Sequence, residues 1–203
     1  MTNKKAKFSV KILENLVAIT AAEIGKKNLP IVLNKSKLPK EWAEDDNLAK
    51  MNEEEAAESY AGLQQAIRAY YGRGARGILQ RIGRKLWGKL LETASFKEKV
   101  QAKLLRGLPE TIRRKNVLEL LTRLLDTEAD EMSVHTLDLN LLLADNTSPT
   151  THNQHDDEPI CHITHGLIRE AIYWATSKDA VIEESSCRAT GATNCEFKII
   201  VGE

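Results

Sequence analysis

All three cysteines of the chain fall in its last quarter, at Cys161, Cys187 and Cys195, and Glu184 stands just ahead of the second. Thiolates are soft ligands, and three of them with one carboxylate or imidazole make up a closed, four-coordinate zinc site. Cys187 and Cys195 flank a predicted hairpin turn and Cys161 opens a predicted helix, so a metal there would tie a helix start to a β-hairpin. Two side chains compete for the fourth position. Glu184 and Cys187 are three residues apart, which an ideal strand sends to opposite faces unless a bulge near Ser185 intervenes. His165 lies one helical turn from Cys161 and on the same face. The Cys-x7-Cys spacing is not the CxxC knuckle of common zinc modules, and the alternative is three buried thiols acting as small apolar residues.

The elements that must position these residues read as α+β. Leu13, Leu16, Val17, Thr20, Ala21 and Ile24 recur at helical spacing within 8–27, with Gly25 as a stop. Pro30 and Pro39 bracket a short helix or an extended piece, and the acidic run 43–56 reads as a solvated connection. Tyr60, Leu63, Ile67 and Tyr71 mark a helix ending near Gly72; Leu79, Ile82, Leu86 and Leu90 mark the next. A further helix spans 108–127, with Pro109 near its first turn. The period then changes: Leu137, Leu139, Leu141 and Leu143 alternate as in one strand. A polar loop (144–159), a helix (163–176) and two strands (180–187 and 194–201) complete the chain. The expected organisation is a single domain over 1–203, with a helical N-terminal extension in 1–56 and the sheet and metal-binding part in 132–203.

Basic and acidic residues are equal in number, 29 each, so no global field recruits nucleic acid or a membrane. No apolar run is long enough for a signal peptide or a membrane span, and the odd cysteine count argues against a disulfide framework. A reduced, cytoplasmic protein is the expectation. Gly72, Gly74 and Gly77 spell GxGxxG, but the motif follows a helix rather than a strand and reads as a helix–helix junction. The basic run Arg73, Arg76, Arg81, Arg84 and Lys85 could hold an anion or pair with the acidic segment 44–58. His152, His155, Asp156, Asp157 and Glu158 read as a solvated patch. Tyr173, Trp174, His135 and Trp87 are candidates for lining an apolar ligand pocket, with core packing as the alternative. No Ser-His-Asp order or paired-carboxylate arrangement is evident, and no catalytic residue is assigned.

The C-terminal run resembles the 4-vinyl-reductase (4VR) domain. The family's pattern is a cysteine before a helix with glycine, an acidic residue ahead of a second cysteine, A-x-G, a third cysteine and F-x-I. Cys161, Gly166, Glu184, Cys187, Ala189, Gly191, Cys195, Phe197 and Ile199 supply each element. The segment YYGRGARGILQRIGR and the first helix also resemble stand-alone members of the family. Sensor domains of aromatic-responsive regulators use three cysteines and a glutamate at this spacing for structural zinc, so the resemblance implies Cys161, Glu184, Cys187 and Cys195 as ligands. It further implies a fold similar to transport-protein-particle subunits, a homodimer, and a pocket for a small hydrophobic molecule. The tryptophan that clamps phenol in those sensors has no counterpart, because its offset falls near Asn140. The family's name also suggests an enzyme or accessory protein of tetrapyrrole metabolism, and its fold a protein-interaction scaffold.

Overall fold

Local chemistry starts the helices cleanly. The computed structural model describes residues 6–35, 38–39, 51–138 and 140–200. Helix α1 (Val10–Ile24) stops at Gly25, whose φ of 88° only glycine adopts without strain. After the short α2 (Leu29–Lys35), α3 (Glu53–Tyr71) opens with a capping box, in which the Asn52 side chain accepts from the Glu54 and Glu55 amides and the Glu55 carboxylate accepts from the Asn52 amide. The acidic residues 53–55 thus begin a helix rather than end a loop; residues 40–50 of that expected connection lie outside the described residues. A turn of 3-10 helix at Gly72–Gly74 leads directly into α4 (Ala75–Thr93), so GxGxxG is a helix–helix junction.

Helix α5 (Phe96–Leu105) was not foreseen. It carries its own capping box, Ser95 with Glu98, and buries only Ala102 and Leu105, while Phe96, Val100 and Leu104 face outward. Helix α6 (Glu110–Leu124) follows, with Pro109 as its N-cap. The strand expected through Leu137–Leu143 is instead a hairpin. Strand β1 (Met132–Leu137) turns at Asp138, in the left-handed region at φ 51°, into β2 (Asn140–Asp145). Aspartate tolerates that conformation, and it breaks the leucine alternation into two strands. Helix α7 (His162–Thr176) and the hairpin β3 (Val181–Ser186) and β4 (Cys195–Ile200) complete an antiparallel sheet of order β1-β2-β4-β3.

The helices cover one face of this sheet, which is the expected α+β arrangement with a helical N-terminal part. Inward residues alternate as a half-buried sheet requires: Leu141, Leu143 and Asp145 on β2, and Cys195, Phe197 and Ile199 on β4. Helix α7 lies against α4, α6 and β3. Its approach to α4 is backbone to backbone. A Cβ at Gly83 would lie 2.1 Å from the Ile163 carbonyl oxygen, and one at Gly166 would lie 2.1 Å from that of Gln80. Two glycines therefore set the depth at which α7 sits over the sheet.

Candidate functional site

Three elements converge on one point. Cys161 is the N-cap of α7, Glu184 and Cys187 bracket the end of β3, and Cys195 opens β4. The pairing of β3 with β4 slips between Glu184 and Ser186. That extra residue is the bulge the sequence demands, because it restores Glu184 and Cys187 to the same side. The three sulfurs and a Glu184 carboxylate oxygen all lie within 4.8 Å of one another. Cys161 Sγ stands 3.9 Å from Cys187 Sγ and 3.6 Å from Cys195 Sγ. A tetrahedral centre with Zn–S bonds of about 2.3 Å would space its sulfurs by about 3.8 Å.

Backbone donors hold the cluster from outside. The Cys161 amide donates to Glu184 Oε2 at 3.2 Å, and the Arg188 amide points to Cys195 Sγ at 3.4 Å. Ser148 Oγ lies 3.7 Å from Cys161 Sγ. The other Glu184 oxygen, Oε1, is buried without a hydrogen-bond partner among the described residues. Burial, with the Cys187 charge beside it, pushes the Glu184 carboxyl up to about 8. Hydrogen bonding to Cys187 and Cys195, with burial, raises the Cys161 thiol, while Cys187 is lowered because those same two thiols bond to it. One thiolate leaning on two thiols and a reluctant carboxylate is the electrostatic state that a divalent cation would relieve.

His165 does not join the cluster. Its Nε2 lies 3.1 Å from the Ile182 carbonyl oxygen, and burial holds its pKa below the usual imidazole value. With His162 it faces an open groove of about 660 Å³ whose far side carries Arg68, Arg73 and Arg76. Arg81 and Lys85 of the basic run pair with Glu23, and Arg84 with Glu170, rather than with the 51–58 part of the expected acidic partner. The remainder of that acidic segment, residues 44–50, is outside the described residues.

A second feature lies beside the cluster. A cavity of about 240 Å³ opens between the chain entering α1, helices α3, α4 and α7, the α6–β1 connection and the loop after β2. Phe8, Leu86, Leu125, Met132 and Leu167 make apolar wall; Asp145, Thr147 and Thr164 add polar groups. The first half of the expected polar loop is buried here and ordered by hydrogen bonds. The Thr147 amide donates to Asp145 Oδ1, Gln64 Nε2 donates to Thr150 Oγ1, and Tyr60 shares that network. Burial pushes the Asp145 carboxyl up to about 6.

None of Tyr173, Trp174, His135 and Trp87 lines this cavity. Trp87 and Trp174 do meet edge to face, at 5.6 Å between ring centroids, with the Arg106 guanidinium over Trp174. The Trp87 indole N–H is buried without a partner among the described residues. Tyr173 is exposed, and His135 sits on the open face of the sheet beside Ser133. The residues that do line the cavity come from six separated stretches, and none stands out by type. Asp145, closing an apolar strand with its charge inward, was the available signal.

Comparison with known proteins matches residues 147–201 to the 4-vinyl reductase (4VR) domain. The chain thus carries a domain of that family over the segment that contains the four-residue cluster. No curated protein matches it by sequence. Among solved structures, an H-NOX protein from S. oneidensis in the Fe(II)NO ligation state aligns with a TM-score of 0.59 and 16% identity, over 96% of this chain and 99% of that one. An H-NOX protein from K. algicida in the Fe(II) unliganded state gives a TM-score of 0.59 and 13% identity, with 96% of each chain covered. At such identities the likeness is one of fold, and the fold is H-NOX-like.

Proposed function

We propose that the chain is a sensory, small-molecule-binding domain that holds its ligand in the 240 Å³ cavity and braces the adjoining structure with zinc. The observation that carries this reading is the juxtaposition of the two sites. Ser148, in the buried loop after β2, contacts both the Cys161 thiol and the Asp145 carboxyl, which lines the cavity. The zinc would be held by Cys161, Glu184, Cys187 and Cys195, and four protein ligands leave no position for a catalytic water, so its role is structural. An interior with free volume supports a binder over a scaffold with a filled interior. The H-NOX structures include NO- and CO-ligated iron states, which fits a fold suited to small ligands. Haem itself is not carried across: about 240 Å³ falls below the roughly 300–1,000 Å³ of pockets that enclose drug-sized ligands. The proposal includes a cytoplasmic homodimer, supported by the exposed apolar stripe Phe96, Val100 and Leu104 on α5.

Native mass spectrometry of protein purified without added metal tests the reading. The expected result is one zinc per chain and, in a fraction of molecules, a small mass released on activation. Cys187→Ser should lose the metal. A folded, zinc-free wild type, or full zinc retention in Cys187→Ser, would overturn the structural-zinc assignment.

A further inference from the structure

We infer that the cavity selects a small cationic amphiphile, a protonated amine on an apolar body of about eight to ten non-hydrogen atoms. This rests on the proposed binding role of the cavity and assigns the chemistry of its occupant. The size follows from the volume: about 240 Å³ corresponds to about eight waters at ~30 Å³ each. Phe8, Leu86, Leu125, Met132 and Leu167 would enclose the apolar body.

The polar end is specified by what lacks a partner and by charge. Thr164 is 7% exposed, lines the cavity from α7, and its hydroxyl has no hydrogen-bond partner among the described residues. Asp145 is 2% exposed and presents a carboxylate to the same space. The Thr147 amide and Ser148 occupy part of its acceptor capacity. A carboxylate offers about four acceptor sites and, when ionised, no donor, so a group that completes this set must donate. At the rim stand Asp126, Glu128 and Glu131, while Lys7 is the cation lining the cavity and sits 3.9 Å from Glu53. Arg188 partly offsets the Asp145 charge from the β3–β4 turn. A bound anion would meet this acidic field with Lys7 alone to answer it. Rim acids by themselves would only be solvated; the unsatisfied Thr164 hydroxyl and the inward Asp145 are what a solvated rim does not explain.

Calorimetric titration of the full chain with three isosteric probes tests the assignment: 2-phenylethylamine, 2-phenylethanol and phenylacetate. The amine is expected to bind at least tenfold more tightly than the alcohol, and phenylacetate not measurably. Asp145→Asn should abolish the preference for amine over alcohol. Asp126→Asn with Glu128→Gln, two exposed positions whose change leaves the core intact, should weaken the amine several-fold and leave the alcohol unchanged. Alcohol binding as tight as amine binding overturns the cation assignment while the binding domain stands. Failure of all three probes also overturns it, and whether the binding role falls too is read independently from the mass released in the native spectrum.

Discussion

Replacing Gly83 with alanine places a methyl group where the backbone of α7 already is. The new Cβ would stand 2.1 Å from the Ile163 carbonyl oxygen and 3.0 Å from the Leu167 amide nitrogen, whereas ordinary contact begins near 3.4 Å. The obstacle is backbone, so no rotamer relieves it; α4 and α7 must part by about an ångström, and a gap of that order forfeits a quarter to a half of the dispersion energy across the interface. Overpacking of this kind costs about 3 kcal/mol at the upper end of its usual range, and the better helix propensity of alanine returns about 1. The net loss of about 2 kcal/mol lowers Tm by roughly 4–8 °C for a chain of this length. Gly88, on the same helix, is the internal control. A Cβ there meets nothing within 4 Å, so Gly88→Ala should raise Tm by about 2–4 °C through propensity alone. Thermal unfolding followed by circular dichroism compares the two with wild type. A Gly83→Ala variant that melts at or above wild type would refute the backbone-to-backbone crossing.

Glu184→Gln should lower zinc occupancy while His165→Ala leaves it near one per chain; metal analysis showing the reverse would make the imidazole the fourth ligand. The Asp145 carboxyl, pushed up to about 6 by burial, keeps a proton that the unfolded chain has already released above about pH 4. Stability contributed by this group therefore falls as pH rises from about 4 to about 6, by at most about 3 kcal/mol. Denaturant midpoints of Asp145→Asn across that interval should lack this decline, and a slope equal to wild type would count against the burial argument. Asn52→Ala removes the acceptor for two amides at the start of α3 and should cost about 1 kcal/mol in chemical denaturation; an unchanged midpoint would mean that the cap does not hold in solution.

The metal cluster was legible because its constraints are local and chemical. Three thiols could be counted, and the parity of Glu184 and Cys187 required a bulge that the structure supplies between Glu184 and Ser186. The long helices were legible for a similar reason, since Leu79, Ile82, Leu86 and Leu90 keep one face buried throughout α4. Helix α5 escaped because its apolar stripe of Phe96, Val100 and Leu104 points outward, although Ser95 and Glu98 announce its start to a reader of capping boxes. The β1–β2 turn escaped because the leucine alternation runs across Asp138 without a glycine to mark the break. The cavity was least legible of all. Its walls are ordinary side chains brought together by tertiary contacts, and free volume leaves no trace in a periodic pattern.

The glycine crossing also decides which parts of the cavity can yield. Leu86 rides on α4 and Leu167 on α7, and between those helices no side chain intervenes at Gly83 and Gly166 to act as a spring. The rest of the wall comes in part from two connections, Leu125–Met132 and the loop carrying Thr147 and Pro149, whose fastenings include hydrogen bonds that can lengthen and re-form. The cavity therefore has one stiff boundary and one compliant boundary. An occupant slightly too large displaces the compliant side, and part of that side ends at Ser148, against the thiol of Cys161. Mechanical load inside the cavity is thus delivered to one sulfur of the metal cluster, while the helix pair keeps its spacing.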